Sequence, residues 1–207
     1  MWCSYCRSEK EGENDQEKDE LQKDMSDALP KAPAVKASAR KAKAEAEAAA
    51  RRAAEAKIKE LRMWEEKGNR AFARSDWLGA MEAYSTAVAL DETSAAAWAG
   101  RGGVRLRKGD MSGALEDLNQ ALKLEPEHLF ATRDRAEVKL RSGDYAGAIA
   151  DYNKKLTLAP CDGRALCGRG EARLKAGDKQ GAIADLGLAA KLTYPGAAEL
   201  LSQAKKS

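Results

Sequence analysis

Aromatic side chains are scarce in this 207-residue chain: they make up 5% of it, with two phenylalanines in all. β-Branched residues are also few and alanine is abundant, a balance that favours helix over sheet. Histidine occurs once, at His128 beside Pro126, and no serine, cysteine or carboxylate has an evident general base as a sequence neighbour. No glycine loop suited to cradling phosphate appears, since Gly102-Gly103 falls inside a helical pattern. Catalysis is therefore not expected, and neither is a cofactor.

Long apolar runs are missing too, so no membrane span is expected. The opening MWCSYCRSEK lacks the apolar core of a secretory signal. Trp2 stands where N-myristoylation requires glycine. Four cysteines without framework spacing point to a reducing compartment, and the expectation is a cytoplasmic protein. Cys3-x-x-Cys6 lacks two further zinc ligands nearby, leaving an incidental pair or acylation sites.

Charge is present but unevenly spread around a net of +3. Residues 1–27 hold four basic and nine acidic groups, whereas residues 28–60 hold nine basic and four acidic. The basic density falls short of a nucleic-acid-binding surface, and no nucleic-acid partner is expected. Residues 1–37 read as a disordered acidic tail, because so polar a segment cannot bury enough apolar surface. From Ser38 to Glu60, pairs such as Lys41/Glu45, Lys43/Glu47 and Arg51/Glu55 sit four apart and predict a solvated helix. Its alanine seam (Ala42, Ala46, Ala49, Ala53, Ala56) fits either a plain spacer or weak coiled-coil pairing.

RLRKGD at 105–110 returns as KLRSGD at 139–144 and RLKAGD at 173–178, a period of 34 residues. Segments 61–94, 95–128, 129–162 and 163–196 align without a gap. The eighth place holds Gly68, Gly102, Ala136 and Gly170; the twentieth holds Ala80, Ala114, Ala148 and Ala182. Small residues at fixed points let two helices approach closely. Gly109-Asp110, Gly143-Asp144 and Gly177-Asp178 read as helix stop and next cap, with Ser75-Asp76 in the first unit. Pro126 and Pro160 follow the second helices. Leu200 and Ala204 fall where a fifth unit would continue, so 197–207 reads as a capping helix. The fold class is all-α, a solenoid of helix-turn-helix units. Arg101, Arg135 and Arg169 at the seventh place accompany Asp117, Asp151 and Asp185 at the twenty-third, and Lys67 and Ala83 change together. That covariation within one chain predicts an ion pair between the helices of each unit.

The period, Trp64-x3-Gly68, Trp98-x3-Gly102, the Gly-Asp turns and the prolines resemble the tetratricopeptide repeat over residues 61–196. The resemblance implies a right-handed superhelix whose first helices line a concave groove for a partner peptide. Carried onto this chain, the groove positions are Arg62, Glu65, Asn69, Phe72, Leu106, Arg107, Phe130, Arg133, Asp134, Glu137, Arg141, Arg164, Glu171 and Lys175. Arg107, Arg141 and Lys175 have no partner evident in sequence, and Gly100, Gly103 and Gly168 leave parts of the wall bare.

Trp64-Glu-Glu-Lys-Gly-Asn69 with Phe72 also resembles co-chaperones that hold the acidic C-terminal tail of heat-shock chaperones in a carboxylate clamp. The clamp implies lysine where Glu65 stands, asparagine where Gly100 stands, and lysine and arginine where Phe130 and Asp134 stand; Asn69 alone matches. Carboxylates in place of cations would repel an acidic tail. The expected function is a protein-interaction scaffold or adaptor, co-chaperone-like without an intact clamp, whose ligand is an internal segment with an apolar anchor. A passive self-associating solenoid and RNA association through the basic positions are the alternatives.

Overall fold

The computed structural model describes residues 32–206. The acidic stretch 1–31 and the Cys3/Cys6 pair lie outside the described residues. The chain divides into two compact units, Met1–Ala56 and Lys57–Ser207.

Helix α1 spans Ala32–Ala73 and starts ahead of the Ser38 expected from composition. Pro33 lies in its first turn, where a missing N–H costs nothing. In the first unit, residues 37–56 are exposed throughout, the alanine seam included. Lys41–Glu45 and Lys43–Glu47 pair at 3.9 Å and Arg51–Glu55 at 3.0 Å. Such exposed pairs contribute a few tenths of a kcal/mol each, so propensity sustains this helix.

The second unit consists of paired helices. The end of α1 pairs with α2 (Trp77–Leu90); then come α3 (Ala95–Lys108) with α4 (Met111–Leu124), α5 (Leu129–Arg141) with α6 (Tyr145–Leu158), and α7 (Gly163–Lys175) with α8 (Lys179–Lys191). Helix α9 (Ala197–Lys206) closes the series, with Ala197 and Ala204 fully buried and Leu200 packed beside them. Among the described residues there is no strand.

Each turn is built the same way. Asp76, Asp110, Asp144 and Asp178 cap the second helices, each accepting a bond from the backbone N–H of the glycine three residues on. Gly109, Gly143 and Gly177 take left-handed φ near 85°, and Ser75 takes φ 59° in the repeat 61–94. Ser94, His128 and Asp162 cap α3, α5 and α7, so the lone histidine serves its helix through Nδ1, which accepts from Ala131 N–H at 3.2 Å.

The core follows the small-residue pattern. Ala80, Ala114, Ala148 and Ala182 are fully buried. A Cβ on Gly102 or Gly170 would lie 2.9 or 2.7 Å from Leu118 or Leu186 of the paired helix, so glycine sets the helix spacing there. First helices of consecutive repeats touch one another (α3 with α5, α5 with α7), whereas second helices touch only first helices and, at the end, the closing α9. Within this unit the first helices therefore form the inner face.

The predicted ion pairs form, in a fuller shape than expected. Arg101, Arg135 and Arg169 each bind Asp117, Asp151 and Asp185 through two nitrogens at 2.7–2.8 Å. A second cation from the eleventh place joins each aspartate: Arg105 at 3.3 Å, Lys139 at 2.8 Å and Arg173 at 2.8 Å. Arg135 and Arg169 also donate to Asn119 and Asn153 of the preceding unit. In the first repeat, 61–94, Lys67, Ala71, Ala83 and Ser85 occupy the four corresponding places, so every member of the node changes together. Lys67 lies over the Trp64 ring instead, at 4.3 Å.

Candidate functional site

Two clefts open among the first helices of the second unit. The first, about 400 Å³, lies between the end of α1, α3 and the start of α5. The small residues Ala96, Ala99, Gly100 and Gly103, the rings of Phe72, Tyr84 and Phe130, and the polar Asn69, His128, Arg133 and Asp134 line it. Phe72 is fixed edge-on against Trp77 at 5.3 Å between centroids. Phe130 is 62% exposed, one of several exposed large apolar side chains that also include Leu78. Cations surround it: the Arg133 guanidinium lies 5.2 Å and the Lys155 ammonium 5.9 Å from the ring centre. Arg133 is in turn held by Asp134 at 2.9 Å.

Gly100 is not simply a gap in this wall. A Cβ there would stand 2.3 Å from the Tyr84 ring. Tyr84 fills the space, and its hydroxyl donates to Asn69 Oδ1 at 2.7 Å. Burial, aided by the charge of Glu65, pushes the Tyr84 phenol up to about 12.

The second cleft, about 850 Å³, lies further along, between α3, α5 and α7. Arg107, Glu137, Arg141, Arg164, Glu171 and Lys175 supply its charges. Glu137 is the hub. Arg107 reaches its Oε1 at 3.1 Å, Arg141 the same oxygen at 2.5 Å, and Arg164 its Oε2 at 2.5 Å. These arginines come from three successive units. Burial alone would raise the Glu137 carboxyl, but the Arg164 hydrogen bond and the three guanidinium charges outweigh it and hold it below the usual range. Lys175 pairs with Glu171 at 3.5 Å. Tyr152 and Cys167 lie beneath these charges, where burial raises both above their ordinary values.

Of the groove residues expected from sequence, Asn69, Phe72, Phe130, Arg133 and Asp134 meet in the first cleft; Arg107, Glu137, Arg141, Arg164, Glu171 and Lys175 meet in the second. Three do neither. Arg62 is exposed on α1, and Glu65 accepts from the Ser94 hydroxyl at 2.6 Å, bracing the α3 cap. Leu106 requires correction: it is 0% exposed and packs with Leu118 and Val138, because the twelfth place turns into the seam between consecutive first helices. Arg107, Arg141 and Lys175 are not partnerless either, since Glu137 and Glu171 receive them. Sequence reasoning missed Tyr84, Tyr152 and Tyr194 as lining residues. The signal for the first two was tyrosine at the twenty-fourth place followed by glycine at the sixth place of the next unit: Tyr84 with Gly100, and Tyr152 with Gly168.

Among the described residues no helix is long and apolar enough to cross a membrane. Among curated proteins none matches this chain. Solved structures similar to it include the Arabidopsis OM64 TPR domain, 23% identical with a TM-score of 0.54, covering 56% of this chain and 97% of that one. MamA 41-end from Desulfovibrio magneticus RS-1 is 18% identical with a TM-score of 0.57, covering 71% and 94%. The first TPR of Spaghetti (RPAP3), bound to the HSP90 peptide SRMEEVD, is 20% identical with a TM-score of 0.55, covering 57% and 94%. The Tetratricopeptide repeat family model matches residues 65–128, 112–160 and 133–198, so with its repeated helix pairs and shared turn chemistry the chain belongs to the tetratricopeptide repeat family.

Proposed function

We propose that this protein is an adaptor that holds an extended segment of a partner protein along its inner face, anchored by one apolar side chain between Phe72 and Phe130. The observation that carries this reading is the exposed Phe130 ring, which lines one cleft together with Phe72 and the small residues Ala96, Ala99, Gly100 and Gly103. An aliphatic or aromatic side chain seated there covers apolar surface at about 25 cal/mol per Å².

The same cleft argues against an acidic chaperone tail. RPAP3's first TPR is seen with the HSP90 peptide SRMEEVD. Here Asp134 lines the cleft, Glu65 is committed to Ser94, and Tyr84 takes the room beside Gly100. An acidic peptide would meet a carboxylate where it needs a cation, at a cost of several kcal/mol.

Selection of a random peptide library on the immobilised protein tests the proposal, followed by fluorescence anisotropy of enriched peptides alongside SRMEEVD. Enriched peptides should share one large apolar residue, and Phe130→Ala should weaken them at least tenfold with the fold intact by circular dichroism. Low-micromolar binding of SRMEEVD that is lost on Asn69→Ala would overturn this reading.

A further inference from the structure

The second cleft has charge that its own residues do not satisfy. Four cations face two carboxylates there, an excess of two positive charges. Lys175 and Glu171 offset each other. What remains is three guanidinium groups bonded to the one carboxylate of Glu137; the nearby Asp134, which also acts on Arg164, is itself neutralised by Arg133. A guanidinium carries five N–H donors. One carboxylate therefore leaves most of those donors free.

A second observation is independent of this count. Tyr152 is 3% exposed, lines the cleft, and its hydroxyl has no hydrogen-bond partner among the described residues. The equivalent tyrosine two units earlier shows what is absent. Tyr84 donates to Asn69 at the ninth place of its unit. The ninth place in Tyr152's unit is Glu137, which is turned to the three arginines. The Tyr152 ring is covered while its hydroxyl oxygen faces the cleft with its hydrogen-bonding capacity unused by the protein. Gly168 keeps the approach open, since a Cβ there would lie 2.4 Å from the Tyr152 oxygen.

We propose that the Arg107–Arg141–Arg164 cluster, with the Tyr152 hydroxyl, recognises a phosphorylated side chain on the partner segment. A phosphoryl group carries a charge of about −1.5 to −2 and three acceptor oxygens. It matches the excess of two charges, where a single Asp or Glu would leave one unmet. Its oxygens accept from the free arginine N–H groups and from Tyr152. This rests on the segment reading above and adds a register to it. Phe130 and Glu137 are both on α5, seven residues apart. That separation is about 10 Å along a helix. An extended peptide advances about 3.3–3.6 Å per residue. The phosphorylated residue thus falls three positions from the apolar anchor.

The test has two arms. In the first, O-phosphoserine is titrated into ¹⁵N-labelled protein and the arginine Nε–H signals are followed by NMR. Arg107, Arg141 and Arg164 should shift, and Tyr152→Phe should weaken the titration about threefold or more while leaving the melting curve unchanged. No shift at these arginines, or no effect of Tyr152→Phe, overturns the proposal and leaves the apolar anchor standing. In the second arm, anisotropy compares synthetic peptides bearing leucine and, three residues away in either order, serine, phosphoserine or glutamate. Phosphoserine should bind at least tenfold tighter than serine in one order, with most of the gain lost in Arg164→Gln. Equal binding of the glutamate and phosphoserine peptides, or of the serine and phosphoserine peptides, overturns it. If no peptide binds while O-phosphoserine still does, it is the anchor reading that fails.

Discussion

The Tyr84 ring occupies the space a Cβ on Gly100 would need, with 2.3 Å between the two. Tyrosine in one unit therefore demands glycine in the next. Gly100→Ala should force the buried ring outward and break its bond to Asn69. Overpacking of this kind costs about 1–3 kcal/mol. Gly187, in α8, has nothing within 4 Å of its would-be Cβ, so Gly187→Ala should instead stabilise by about 1 kcal/mol. Urea denaturation of both variants checks the sign of each.

Asp151 is held by Arg135 through two bonds and by Lys139 at 2.8 Å. Asp151→Ala leaves two cations without their anion and should destabilise by about 3–5 kcal/mol. Replacing Asp151 and Arg135 together with matched apolar residues should recover much of that loss. A double-mutant cycle measures the coupling, and a value near zero would remove this node from the account of stability.

Asp151, Asp162 and Glu137 all titrate below their ordinary values. In each case burial pushes the carboxyl up, and neighbouring donors and cations overcome it. A folded value below the unfolded one gives stability that is complete above the unfolded value, 3.8 for Asp and 4.5 for Glu. It is lost as pH falls through the folded values. Unfolding free energy should thus hold from neutral pH to about pH 5 and then decline. Asp151→Asn should start lower at pH 7, and its difference from the parent should shrink below pH 4. A constant difference across that range would be the contrary result.

Deleting residues 1–35 should leave the melting temperature nearly unchanged, because among the described residues it removes the first turn of α1 and none of the core. Deleting 1–66 removes Leu61 and Trp64, which pack against Ala87, Val88 and Ala97, and should lower it by several degrees. Calorimetry of both truncations distinguishes the cases, and equal losses would place the structural boundary elsewhere.

The helices, caps and Arg–Asp pairs were legible because each depends on contacts within one 34-residue unit, so the repeat itself aligned the partners. What escaped depends on contacts between units. Glu137 gathers arginines from positions 30 residues before it and 27 after it, a pattern that occurs once and so has no internal copy to align. Asn119 and Asn153 did recur in register, but their partners lie in the following unit. Leu106 was misplaced for the same reason: a groove position and a seam position differ only in what the neighbouring helix covers. Charge at the second cleft was legible in kind, while the open hydroxyl of Tyr152 required coordinates.

The missing node of the first unit sets where the molecule yields. From the second unit onward each joint is riveted by an arginine that grips one aspartate and reaches back to an asparagine. The joint between the first two repeats lacks that reach-back bond and relies on Trp64, Trp98 and Val88, with the Tyr84 ring seated against Gly100. Thermal fraying should thus begin at α1 and α2 and stop at the first rivet. The apolar cleft borders the loose joint and the charged cleft the riveted ones. Such a jaw conforms where shape varies among ligands and stays rigid where charge must be met at a fixed point.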